Sequence, residues 1–143
     1  MHKTTTLRTG FSLIELLIVI VILGALMAVV APGLIDRQKQ AARDTMCLKM
    51  NELKKRFDMF ALDNGVYPES SEGFQALLSN PDADRYPNYP VKPYLKKMPK
   101  DAWGSPMVYI KKGSEIEIIS LATDRSEGGE EWAADIFLSK CKK

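Results

Sequence analysis

Histidine is nearly absent: His2 is the only one in 143 residues. A chain beginning after Gly10 has no imidazole, which excludes histidine acid–base catalysis and histidine-ligated metals. Cysteine is scarce too. Cys47 and Cys141 stand alone, too few for a structural zinc site by themselves. There is no phosphate-binding glycine loop and no internal repeat. An excess of one charge is also lacking. The formal net charge is +2, and Lys3 and Arg8 supply it. Without the first ten residues the chain carries 18 basic and 18 acidic side chains, so no nucleic-acid partner is expected. Apolar residues make up 45% and charged ones 27%, which fits neither a disordered chain nor one apolar throughout.

Polar side chains are what the next stretch lacks. From Phe11 to Ile35 only Ser12 and Glu15 are strongly polar, and Leu16 to Ala31 is wholly apolar or glycine. As a helix, residues 11–35 rise roughly 37 Å, enough to cross a bilayer with some tilt. Lys3 and Arg8 precede the segment and no comparable cluster follows it at once, which puts the N-terminus in the cytoplasm. A removable secretory signal fits poorly. Val29 and Ala31 are the nearest small pair, but Pro32 would follow the cut. A retained, unprocessed helix is the other bland alternative.

Glu15 is the informative residue. A carboxylate within an apolar segment costs ~2.5–3.5 kcal/mol on insertion scales unless it is near an end or paired. Snorkelling to the headgroups is one way out. Cleavage between Gly10 and Phe11 is another, since the new Phe11 amine, on the same or a neighbouring subunit, then serves as counter-ion.

Past Pro32, which favours a kink or a melted turn, helix signals resume. Met46, Met50, Leu53, Phe57 and Phe60 recur at helical spacing and read as a core face on which a sheet packs. Asp63-Asn64-Gly65 ends that helix. Ser70 or Ser71 is expected to cap a short helix over 73–78. Residues 79–100, with five prolines and three tyrosines, read as an ordered loop pinned by its tyrosines. A hairpin follows: 107–111 and 115–119 around Lys112-Gly113-Ser114, with Glu115 and Glu117 on a wet face. Residues 134–138 are a candidate third strand. The fold class is therefore α+β: a long N-terminal helix packed on a small antiparallel sheet.

Thr9-Gly10-Phe11-Ser12-Leu13-Ile14-Glu15 resembles the processing signal of type IV pilin-like proteins. That resemblance implies cleavage after Gly10, N-methylation of Phe11 and an assembly role for Glu15. Pro32 matches a proline that the family carries. The C-terminal half is similar to the major pseudopilin of type II secretion, in Asn64-Gly65-Val66-Tyr67-Pro68, Glu72-Gly73-Phe74-Gln75-Ala76-Leu77, Pro99-Lys100-Asp101-Ala102-Trp103-Gly104-Ser105-Pro106, Ile119-Ser120-Leu121 and Glu127-Gly128-Gly129-Glu130 with Ala134-Asp135-Ile136. Ala102 stands where that family usually has proline. Ala122 and Arg125 stand where it usually has glycines.

The resemblance implies a cleaved leader (1–10), a transmembrane and filament-core helix (11–35) and a periplasmic domain (36–143). It implies a single-pass protein of the bacterial inner membrane, a structural subunit and not an enzyme. Its partners would be copies of itself in a pseudopilus, minor pseudopilins, the prepilin peptidase, an inner-membrane platform with its ATPase, and the lipid bilayer. A type IV pilin used in adhesion, motility or DNA uptake is the alternative, and a membrane-anchored periplasmic enzyme a more distant one.

Calcium is the cofactor the resemblance implies. Residues 121–135 hold Asp124, Glu127, Glu130, Glu131 and Asp135 against one cation, Arg125, with Gly128-Gly129 for a tight turn. Calcium takes six to eight oxygens, carbonyls included. By resemblance its ligands are the side chains of Asp124 and Asp135 and the carbonyls of Leu121 and Thr123. A solvated acidic loop with Arg125 in place of the metal is the competing reading. The periplasmic location also makes a Cys47–Cys141 disulfide the expectation, although nothing in the sequence brings the two within reach.

Overall fold

The computed structural model describes residues 10–141, apart from the side chains at positions 31 and 32. Residues 1–9 of the expected leader and the Pro32 side chain lie outside the described residues. The chain divides into two compact units, Met1–Gln38 and Lys39–Lys143.

Helix α1 spans Leu13–Asn64. The Leu16 amide donates to the Ser12 carbonyl at 3.2 Å, closing the first turn. Backbone at position 32 stays helical, so the melted turn that Pro32 favours is not there. A proline costs one amide donor, but its fixed φ is itself helical. The other end stops at Gly65, whose φ of +79° is left-handed. Its amide caps the Ala61 carbonyl at 2.7 Å, as the Asn-Gly pair predicts.

In the second unit the periodic stripe of α1 is the core. Met46, Met50, Phe57 and Phe60 have no exposed surface. Burying each such side chain is worth about 1.5–3 kcal/mol. Phe57 stacks on Tyr109 with ring centroids 4.4 Å apart, and Phe60 meets Tyr86 edge-on at 4.9 Å. Tyr109 belongs to β1 (Val108–Lys112), which pairs antiparallel with β2 (Glu115–Ser120). Gly113, at φ +63°, makes the tight turn between them. The third strand, β3 (Ile136–Phe137), pairs antiparallel with β2 and is shorter than expected. Residues 138–140 turn into a 3-10 helix instead.

Two local expectations are corrected. Glu117 is buried, not wet, at 5% exposure. The Ser139 amide donates to its Oε1 at 3.0 Å, and the Lys112 ammonium lies 3.8 Å from Oε2. The C-terminal tail covers that face of β2, which alternation within one strand cannot reveal. Helix α2 covers only Gln75–Leu78 and has no serine cap. Ser70 Oγ accepts the Lys111 amide instead, and Glu72 accepts the Glu69 amide at 2.7 Å.

The long loop over 79–100 is pinned by tyrosine. Tyr86 is fully buried and donates to Glu72 at 2.6 Å, and Tyr94 donates to Asp63 at 2.7 Å. Tyr109 donates to the Pro68 carbonyl at 2.9 Å, and Tyr67 to Asp58 at 2.6 Å. The hydrogen bond to Asp58, with burial behind it, pushes the Tyr67 hydroxyl up to about 12. Burial, seconded by their carboxylate partners, raises Tyr86 and Tyr94, and burial raises Tyr109.

Cys47 and Cys141 form a disulfide, with Cα atoms 5.4 Å apart and a sequence separation of 94. The bond ties the tail to α1.

Replacing Cys47 and Cys141 with serine together is expected to remove about 4–5 kcal/mol of stability, the chain-entropy value for a loop this long. Urea denaturation of the variant and the parent checks it. Alkali is expected to unfold the second unit. Its tyrosines have folded-state values above the unfolded value of 10.0. Their stabilisation is therefore complete below about pH 10 and is lost as pH rises through the folded values. Tyrosinate absorbance should rise late and together with loss of the helix signal.

Candidate functional site

The apolar half of α1 is one candidate site. Leu13–Val30 is long and apolar enough to cross a membrane by length and composition, and none of it is buried. Ile14, Leu17, Val21, Leu23 and Leu26 point in different directions around the axis, and each is at least 47% exposed. A helix that is apolar all round is at home in lipid or among other helices, not in water. Phe11 is 88% exposed and, with Gly10, precedes the helix. Glu15 lies in the first turn and is exposed. The helix N-terminus carries partial positive charge, so a carboxylate there is favoured before any counter-ion is added. Reasoning from the apolar run alone missed that contribution, although an acidic residue two positions past a helix start is a readable signal.

The second candidate is the loop between β2 and β3. Gly128 and Asp135 close it: the Gly128 amide donates to Asp135 Oδ2 at 2.9 Å, and the Asp135 amide donates to the Gly128 carbonyl at 3.0 Å. Gly129, at φ +76°, folds the chain back so tightly that a Cβ there would lie 2.4 Å from the Ala133 carbonyl oxygen and 3.0 Å from Asp124 Oδ2. Asp124 and Asp135 therefore both border the Gly128-Gly129 turn. Asp124 Oδ1 accepts the Ser126 amide at 3.1 Å. Asp135 Oδ1 is buried without a hydrogen-bond partner. The Leu121 carbonyl accepts the Arg125 amide at 3.2 Å, and Thr123 is exposed beside it. Among the described residues, no three His, Cys, Asp or Glu side chains converge as a metal cluster. Arg125 forms no ion pair with the loop acids among the described residues.

Ala122 and Arg125 hold φ values of +49° and +60°. Left-handed backbone costs a residue with a Cβ roughly 1–2 kcal/mol. The two positions where glycine was expected both hold a conformation that glycine adopts freely, and Glu131, at +49°, holds it as well.

Two supports of this loop escaped sequence reasoning. Asp101 is buried. Its Oδ1 accepts the Trp103 and Ser105 amides at 2.9 and 2.7 Å, and its Oδ2 accepts the Ser120 hydroxyl at 2.8 Å. Ser120 Oγ in turn accepts the Ala122 amide at 3.2 Å, fixing the loop's entry. Arg43, on α1, donates to the carbonyls of Trp132 and Ala134 at 3.4 and 2.9 Å and fixes its exit. Asp101 stood inside a quoted motif, which was its only signal. Nothing in the sequence pairs Arg43 with carbonyls some ninety residues away.

Comparisons with known proteins cover both segments of the chain. The family described as Type II secretion system (T2SS), protein G matches residues 33–139, and the prokaryotic N-terminal methylation motif matches residues 6–31. The type II secretion system core protein G of Vibrio cholerae is 37% identical over 131 residues, 90% of each chain. That of Pseudomonas aeruginosa is 38% identical over 132 residues, 90% of this chain and 93% of its own. The crystal structure of the major pseudopilin from the type 2 secretion system of enterohaemorrhagic Escherichia coli superposes with a TM-score of 0.63 at 30% identity, over 74% of this chain and 93% of that one. These matches run past the N-terminal segment, through the sheet and the late loop. The chain belongs to the type II secretion system protein G family, whose members are structural pseudopilins and not enzymes.

Proposed function

We propose that this chain is the repeating subunit of a periplasmic pseudopilus that moves folded proteins across the outer membrane in type II secretion. The observation that carries the reading is α1 itself. One continuous helix is apolar on every side over Leu13–Val30 and carries the domain core on the stripe from Met46 to Phe60. Before assembly the apolar half is stored in the inner membrane, with the domain in the periplasm. The prepilin peptidase cuts after Gly10 and methylates Phe11. A membrane platform and its ATPase then lift subunits into the filament, beneath a tip of minor pseudopilins. Lipid contacts are exchanged for helix–helix contacts, so the apolar surface stays dry throughout.

Glu15 sets the register. Its carboxylate pairs with the Phe11 amine of a neighbouring subunit in a desolvated setting, where loss of one partner costs several kcal/mol. Pro32 leaves the Ala28 carbonyl without an amide donor, which allows α1 to adjust as lipid gives way to helices.

Calcium is proposed for the late loop, held by the side chains of Asp124 and Asp135 and the carbonyls of Leu121 and Thr123. Support comes from the unpartnered Asp135 Oδ1, the proximity of Asp124 Oδ2 to the Gly129 turn, and an all-oxygen donor set suited to a hard cation. The bound ion would neutralise the two carboxylates and hold the left-handed backbone at Ala122 and Arg125. The chain itself supplies the frame: Asp101 through Ser120 at one end, Arg43 at the other.

Mass spectrometry of protein from its native envelope should give an N-terminus at Phe11, one methyl group heavier than the bare sequence. A start at Met1 or Pro32 contradicts the reading. Glu15→Ala should still be processed and inserted, yet yield few filaments. Normal filaments from that variant would remove the register role. Calorimetry on the full chain in detergent should show calcium binding, with about 2.7 kcal/mol of added stability when calcium is at a hundred times its dissociation constant. Asp124→Asn and Asp135→Asn should each abolish the heat; an unchanged signal in both would remove the site.

A further inference from the structure

A cleft of about 630 Å³ lies between α1 and the loop segment 95–100. Its cations are Lys49, Arg56, Lys96, Lys97 and Lys100, and its one carboxylate is Glu52. Leu53, Leu95, Met98 and Pro99 form the apolar part of its lining. Arg56 reaches Glu52 only at 3.8 Å. Lys49 donates to the Lys100 carbonyl. Lys96, Lys97 and Lys100 are exposed and form no ion pair among the described residues. The cleft therefore has room, an apolar floor and an excess of four positive charges.

The same chain carries the complement. The late loop has five acids against Arg125; with Asp124 and Asp135 given to the proposed ion, Glu127, Glu130 and Glu131 leave an excess of two negative charges. Glu127, Glu130 and Glu131 are exposed and unpaired among the described residues. The two features do not meet within one subunit. The loop packs over Lys39, Ala42 and Arg43 of α1, and the cleft over Lys49, Glu52 and Leu53. Those positions are ten residues apart, on the order of 15 Å along the helix. A neighbour displaced by that distance along α1 and rotated about its axis would bring its acidic loop beside the cleft. Such a contact joins two unlike patches, and a contact of that kind builds an open helical filament when the rotation between copies does not close into a ring.

We infer that the basic cleft of one subunit receives the acidic loop of a second copy, with Glu127, Glu130 and Glu131 facing Lys96, Lys97 and Lys100. This rests on the reading of the chain as a self-assembling subunit and names where its domains touch. It also separates the loop's acids by task. Asp124 and Asp135 border the Gly128-Gly129 turn and are assigned to the proposed ion, while the three glutamates remain free to dock.

The test is charge reversal and rescue in full-length chains expressed in cells, read as the yield of sheared filaments. Lys96→Glu/Lys97→Glu and Glu127→Lys/Glu130→Lys should each lower the yield about tenfold, since like charges face each other across the contact. Both pairs in one chain should restore it to within about threefold of the parent. Melting temperatures of the purified variants, matched to the parent, exclude misfolding as the cause. Filaments indifferent to both reversals would overturn the contact while leaving the filament reading intact. Loss on cleft reversal without rescue by the loop would also overturn it, and would assign the cleft to another acidic partner or an anionic lipid surface. A parent chain that builds no filament would overturn the underlying reading, and this contact with it.

Discussion

An α-helix with no polar side has to be kept from water along its whole length, and that constraint governs this molecule. Leu13–Val30 offers lipid or neighbouring helices the same surface in every direction. No element of the second unit is needed to explain its sequence. The segment therefore answers to its surroundings, and the one carboxylate it tolerates sits where the helix's own dipole favours it. On the proposed function, everything carried by the second unit is attached to an anchor that exchanges one dry environment for another.

The domain end of α1 works by different physics. There the helix is half wet, and its buried stripe organises aromatic side chains drawn from widely separated segments. Phe57 and Phe60 gather Phe74, Tyr86, Tyr94 and Tyr109 around them. The hydroxyls of Tyr86, Tyr94 and Tyr109 find carboxylates or a carbonyl, so the long proline-rich loop is held without regular structure. The late loop is fixed in a similar way, by Asp101 and Arg43 reaching it from distant parts of the chain.

Local order was legible in the sequence and remote coverage was not. The stripe from Met46 to Phe60, the Asn64-Gly65 stop and the hairpin turn each depend on neighbours a few residues away, and the spacing showed them. Glu117 misled because its environment is set by Ser139, on a segment that no strand pattern can place. Ser70 misled because a strand amide took the oxygen a helix would have used. In the candidate loop, the acids and glycines were visible as composition. The left-handed backbone at Ala122 and Arg125 was visible only as two positions where glycine was expected. The supports by Asp101 and Arg43 span too much chain to be read from either end.

The bond between Cys47 and Cys141 has a consequence for biogenesis. Its partners are 94 residues apart, so it can close only once every residue between them has been synthesised and both thiols have met an oxidant. A truncated or stalled chain is left with an open thiol and an uncovered strand face at Glu117. The bond therefore forms late in the life of the chain, after every segment it encloses.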